Sequence, residues 1–118
     1  MPIDQTEFSR IGLLAELPGQ TLRKLGDRMR REQVAPGATV VHEGDDGDRF
    51  YVVLSGMLNV SQASMGARRT LKPGDYFGEV ALAMDIARTA SVRAMTPSVV
   101  ASCDKATFDE MIRPLFSD

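Results

Sequence analysis

Glu79 and Arg88 stand nine positions apart in the run Phe77 to Val92, FGEVALAMDIARTASV, and the residues around them are of the kinds that hold a phosphate. Gly78 has no side chain, so a ligand can approach its backbone closely. The residues after it tolerate a helix, and the first N–H groups of a helix lack internal partners and attract anions. Arg88 supplies a planar guanidinium able to bond two oxygens of one phosphate, and Thr89 sets a hydroxyl beside it. Glu79 repels a bare phosphate, but its carboxylate accepts hydrogen bonds, which suits a sugar hydroxyl. A phosphate with a ribose hydroxyl next to it is a nucleotide.

Such a site needs a frame. Phe8, Ile11, Leu14 and Ala15 fall on one helical face, and Pro18-Gly19 ends that run. Leu22, Leu25 and Met29 then repeat at helical spacing, with Arg23, Lys24, Arg28, Arg30 and Arg31 on the other face, so a basic amphipathic helix is predicted up to Pro36-Gly37. Beyond Pro36 short segments rich in Val, Tyr, Phe and Thr alternate with glycine turns, the pattern of many short strands. The predicted strands are Thr39 to Glu43, Phe50 to Ser55, Met57 to Gln62, Arg68 to Leu71, Ser91 to Met95 and Ser98 to Cys103. Phe50 to Leu54 is apolar throughout, which predicts burial on both faces, whereas Met57 to Gln62 alternates and has one wet face. So many short strands close their edges best as a barrel or jelly roll. A short helix is expected at Glu79 to Met84, inserted between strands. Phe108, Met111, Ile112 and Leu115 return to helical period, with Thr107 and Glu110 as a capping box and Pro114 as a stop or kink.

Composition sets the outer limits. The chain has 118 residues, 14 Lys+Arg against 16 Asp+Glu and one cysteine, Cys103, so a single domain with a real core is expected, without an internal disulfide. A net charge of −2 gives no overall attraction for DNA or RNA. No window reaches the ~20 apolar residues of a membrane span, and the start, MPIDQTEFSR, lacks the order of a signal peptide, so a cytoplasmic protein is expected.

With these residues in place the run resembles the phosphate-binding cassette of the cyclic nucleotide-binding domains, F-G-E-x-A-L, five variable residues, then R-[ST]-A. PGATVVHEGDDGDRFYVVLSGMLNV is similar to the first barrel strands of that family, and LKPGDYFGE to its approach to the cassette, so the resemblance covers about Leu14 to Leu115. It implies a mainly β fold: N-terminal helices over 1–35, a jelly-roll β-barrel over 36–104 with the cassette at 77–91 and its short helix inserted, and a C-terminal helix over 105–118. It also implies roles. Arg88 would pair with the exocyclic oxygens of a cyclic phosphate and Glu79 would take the ribose 2′-hydroxyl. Backbone groups of Gly78, Val80, Ala81 and Ala90 would complete the cradle, Thr89 would reach the base, and Leu71 would contact the base from the barrel wall. The expected ligand is cAMP with cGMP competing, bound without chemistry, and occupancy would pass to an attached or partner effector. The resemblance implies no cofactor, metal, nucleic-acid contact or membrane span. Two departures stand out: Ala87 replaces the proline common before the cassette arginine, and the lid helix of the family is expected to be short, missing, or left behind in a longer parent protein.

Other residues have plainer readings. His42 beside Glu43 lacks a second histidine and is expected to be a surface or packing residue rather than a metal ligand. Asp45, Asp46 and Asp48 lack the order of a calcium loop and read as a hairpin turn. Cys103 ends an apolar strand without an activating base and reads as a small hydrophobe, and the scattered methionines as core filler. No catalytic constellation appears. Two alternatives stand beside the sensor: a degenerate barrel acting as a protein-interaction or scaffold module, indifferent to Arg88, and a metal-holding barrel enzyme.

Overall fold

A computed structural model describes residues 11–64 and 66–116. Two four-stranded antiparallel sheets face each other as a jelly roll. The first has the order β1 (Arg30–Val34), β8 (Ser98–Asp104), β3 (Arg49–Ser55), β6 (Tyr76–Phe77). The second has the order β2 (Thr39–Val41), β7 (Ser91–Ala94), β4 (Leu58–Gln62), β5 (Gly66–Leu71). Helices α1 (Gly12–Ala15) and α2 (Gly19–Arg28) precede the barrel, and α3 (Glu79–Met84) lies between β6 and β7. A C-terminal helical path follows, made of an α-turn α4 (Lys105–Thr107), a π-helical stretch Phe108–Ile112 and a 3-10 turn Arg113–Phe116.

Strand β3 shows how the core is divided. Its side chains alternate between faces: Tyr51 and Val53 point into the barrel with Val41, Leu58, Leu71, Phe77, Val92 and Val100. Phe50 and Val52 point outward into a second cluster with Leu14, Leu22, Leu25, Leu82, Phe108 and Ile112. The unbroken apolar run Phe50 to Leu54 reflects that double burial. The outer face of one sheet thus seats α2, α3 and the C-terminal helices in one apolar layer.

Three expectations change. The basic helix does not run to Pro36: it stops at Arg28, and Arg30–Val34 forms edge strand β1, paired from Arg30 with Ser102 to Val34 with Ser98. Strand β8 carries backbone donors and acceptors along both sides, and pairing with β1 satisfies the side that a longer helix would leave open. β6 has no counterpart among the predicted strands because two residues show no alternation; it is placed by pairing, Tyr51 with Phe77 and Val52 with Tyr76. The C-terminal helix starts earlier than the Thr107 box implies, because Asp104 is the cap and its carboxylate accepts the Thr107 N–H at 2.9 Å. Pro114, lacking an N–H, falls where the π turns tighten to 3-10. Phe8, in the first predicted helix, lies outside the described residues, and the lid expectation bears on 117–118, also outside them.

Candidate functional site

The inserted helix spans Glu79–Met84, as its sequence predicts. Gly78 caps it in the left-handed region at φ 93°, which a residue with a side chain rarely adopts. Space makes the same demand: a Cβ at Gly78 would lie 2.8 Å from Arg88 Nη1 and 2.9 Å from the Arg49 carbonyl. The helix C-terminus ends on Asp85, also left-handed at φ 55°, and the chain turns back as an arm leading to Arg88.

That arm is gripped from outside. Arg88 donates its N–H to the Asp45 carbonyl at 2.8 Å, the Gly44 N–H donates to the Arg88 carbonyl at 2.9 Å, and Asp46 pairs with Ala87 as an isolated bridge. The stretch read as a hairpin turn, Gly44 to Asp48, is therefore no hairpin. It crosses from β2 in one sheet to β3 in the other and clasps the cassette arm on the way, because its backbone groups find partners there that a turn between paired strands would find internally.

Only 6% of Arg88 is exposed. Nη1 donates to the Gly78 carbonyl at 3.2 Å, Nη2 to the Arg49 carbonyl at 2.8 Å, and the guanidinium carbon lies 5.9 Å from the centre of the Tyr51 ring. Among the described residues no carboxylate comes within ion-pair distance of it. Burial draws the Arg88 pKa below the ordinary arginine value, and Tyr51, Asp48 and Glu79 push back. The group stays charged, since arginine does not lose its proton in proteins. Burial likewise raises the Tyr51 hydroxyl, with Glu32 adding to the shift and Arg88 opposing it. A buried cation whose hydrogen bonds, among the described residues, go to neutral carbonyls is costly unless an anion joins it.

Around this cation lies an open pocket of about 170 Å³. Gly78, Glu79, Val80 and Ala81 line it on one side and Arg88, Thr89 and Ala90 on another, so seven of the eight residues singled out in the sequence meet at one place. Oε2 of Glu79 is buried without a hydrogen-bond partner. An orphaned carboxylate oxygen near a buried cation is matched by a ligand that offers a hydroxyl and an anion together.

Leu71 is the exception. It is fully buried in the barrel core opposite Leu58 and does not line the pocket. Residues two apart on a strand share a face, and Arg69, two positions before Leu71 on β5, reaches the mouth, opposite Val60 of β4. Arg69 is not among the residues singled out in the sequence, although the period of two along a strand puts it on the same face as Leu71. Among the described residues no group of three or more His, Cys, Asp or Glu side chains is placed to hold a metal ion.

A model of the cyclic nucleotide-binding domain family matches residues 31–114. The chain belongs to this family. Among known members, it is 41% identical over 109 residues, 92% of its length, to a cAMP-dependent protein kinase regulatory subunit of Yarrowia lipolytica. It is 34% identical over 114 residues to a cGMP-dependent protein kinase of Caenorhabditis briggsae. In three dimensions it is similar to the regulatory domain of Toxoplasma gondii PKA solved with cAMP, with a TM-score of 0.89, 26% identity, and coverage of 93% of this chain and 44% of that one. The chain spans 29% of the Yarrowia protein and 15% of the Caenorhabditis one. No helix among the described residues is long and apolar enough to cross a membrane.

Proposed function

We propose that this cyclic nucleotide-binding domain captures cAMP, with cGMP as a competitor, and acts without chemistry as the sensor of a protein kinase or similar effector. The observation that carries the reading is Arg88, a buried cation facing a pocket and, among the described residues, without a carboxylate in ion-pair distance. A cyclic phosphate would supply the missing anion through two oxygens on one guanidinium. Glu79 would accept the ribose 2′-hydroxyl on its orphaned oxygen, and the backbone of Gly78, Val80, Ala81 and Ala90 would hold the remaining phosphate edges. Thr89 and Arg69 would stand toward the base. The kinase effector is taken from what the relatives are named for.

The test is thermal unfolding with saturating cAMP or cGMP, wild type beside Arg88→Ala. Ligand at a hundredfold over its Kd adds about 2.7 kcal/mol to the native state, which at this size raises Tm by about ten degrees. The expected result is a rise in wild type that vanishes in Arg88→Ala, with both proteins melting cooperatively. A flat response of wild type to both nucleotides would overturn the reading and favour the scaffold alternative.

A further inference from the structure

Gln62 and Ala63, at the tip of β4, sit against the last part of the cassette, and their contacts form a closed ring. Gln62, near the end of β4, donates its side-chain amide Nε2 to the Thr89 carbonyl at 2.8 Å. The next residue, Ala63, donates its N–H to Glu43 Oε1 at 2.9 Å. The Glu43 N–H in turn donates to Ser91 Oγ at 2.8 Å, and Ser91 lies two residues from Thr89. Gln62 does not line the pocket, whereas Thr89 and Ala90 do.

One peptide plane turns this ring into an influence on the ligand. The Thr89 carbonyl and the Ala90 N–H belong to the same trans peptide and point in opposite directions. Drawing the carbonyl outward to Gln62 therefore turns the N–H of Ala90 away from the tip. We propose that Gln62 is a positioning residue of the nucleotide site: by holding the Thr89 carbonyl it aims the Ala90 N–H at the ligand phosphate, and Glu43 braces the tip that carries it. The inference rests on the proposed cyclic nucleotide reading. It assigns the site's phosphate geometry in part to a side chain outside the pocket, on a strand far from the cassette in sequence.

The chemistry of the side chain supplies the test. Gln62→Met keeps length and removes the donor, Gln62→Glu keeps shape and turns the donor into an acceptor, and Gln62→Lys restores a donor to the carbonyl. Isothermal titration with cAMP is run on wild type and the three variants, at low and high salt so that the added lysine charge is separated from its hydrogen bond. The Ala90 amide proton is followed in parallel by two-dimensional NMR. One lost hydrogen bond corresponds to about a three- to tenfold weaker Kd. Gln62→Met and Gln62→Glu are expected to show that loss with unchanged melting behaviour, and Gln62→Lys to recover most of it at high salt. In wild type, saturation should move the Ala90 amide downfield, as expected for a donor to phosphate, and the two weakened variants should show a smaller movement. Affinities within twofold of wild type in both, or an Ala90 amide that responds equally in all, would overturn the inference while leaving the nucleotide reading intact. Absence of binding by wild type would bring down both readings together.

Discussion

Gly47 permits a sharp test of how the cassette is held. It lies in the loop that clasps the arm, and a Cβ there would stand 2.3 Å from the Ala81 Cβ and 3.5 Å from the Arg88 guanidinium carbon. Its φ is not among the positive ones, so alanine fits the backbone and the only penalty is steric. Carbon atoms prefer about 3.5–4.0 Å, so loop and helix must part by about 1.5 Å. Overpacking of that kind costs about 1–3 kcal/mol, a Tm loss of roughly 4–12 °C at this chain length. The same displacement moves Ala81 and Arg88, both lining the pocket, and cyclic nucleotide affinity should fall about tenfold or more as the charged hydrogen bonds lose alignment. The paired variant Gly47→Ala/Ala81→Gly removes the atom that is struck. Glycine inside a helix costs about 1 kcal/mol, yet the pair should melt above Gly47→Ala and bind more tightly than it, a favourable coupling in a double-mutant cycle. Calorimetry and melting curves on the four proteins decide it. A Gly47→Ala protein with native Tm and affinity, or a double variant equal to the sum of its parts, would refute the contact argument.

Three further outcomes follow from single groups. Burial pushes the Cys103 thiol up to about 12, with Asp104 adding and Arg49 opposing, so iodoacetamide at pH 8 should leave the folded protein unmodified and label it only on unfolding. The Thr107 N–H and hydroxyl hold the Asp104 carboxyl below its ordinary value. A depressed carboxylate stabilises above its unfolded pKa and loses that contribution as pH falls through the folded one. Asp104→Ala should therefore cost about 1 kcal/mol at neutral pH, and the gap between variant and wild type should close in acid melting curves. An arginine bonds the O6 and N7 of guanine in pairs and discriminates by about 1–3 kcal/mol. Arg69→Ala should accordingly lower cGMP affinity relative to cAMP by about fivefold or more in competition binding, and an unchanged ratio would remove Arg69 from the base site.

The residues that touch the ligand in the proposed reading were legible because their types are chemically constrained over a short run. Gly78 is required by a left-handed cap and by close packing against Arg88, and the spacing from Glu79 to Arg88 accommodates one short helix and a returning arm. The strands from Phe50 onward, β6 apart, were legible from short runs rich in Val, Tyr, Phe and Thr set between glycine and proline turns. What stayed hidden depends on partners distant in sequence. β1 is a strand because β8 lies beside it, and Arg30 and Arg31 carry nothing that prefers a strand over the end of a basic helix. Leu71 against Arg69 is a question of depth in a barrel, which alternation does not encode. Gly44 to Asp48 has the composition of a turn, and its clasp on the arm shows only when the two sheets are assembled.

The placement of the site between the two cores bears on how occupancy could be felt elsewhere. Ala81 lines the pocket while its neighbour Leu82 is buried in the outer cluster with Phe108 and Ile112, so α3 cannot shift without disturbing the C-terminal helices. Arg113 ties the same pieces together: Nη2 donates to the Leu82 carbonyl and Nη1 to the Ala83 carbonyl, both at 3.0 Å, while Asp109 holds the guanidinium. Helix α3 has no basic residue in its last turn, and Arg113 supplies from the C-terminal path the positive charge that a helix end favours. A ligand shifts an equilibrium only by binding its two states unequally. In the proposed reading the inequality would have a physical source: among the described residues no carboxylate forms an ion pair with Arg88, so a phosphate would favour the α3 position that best presents this cation, and Leu82 and Arg113 would carry that adjustment into residues 105–116.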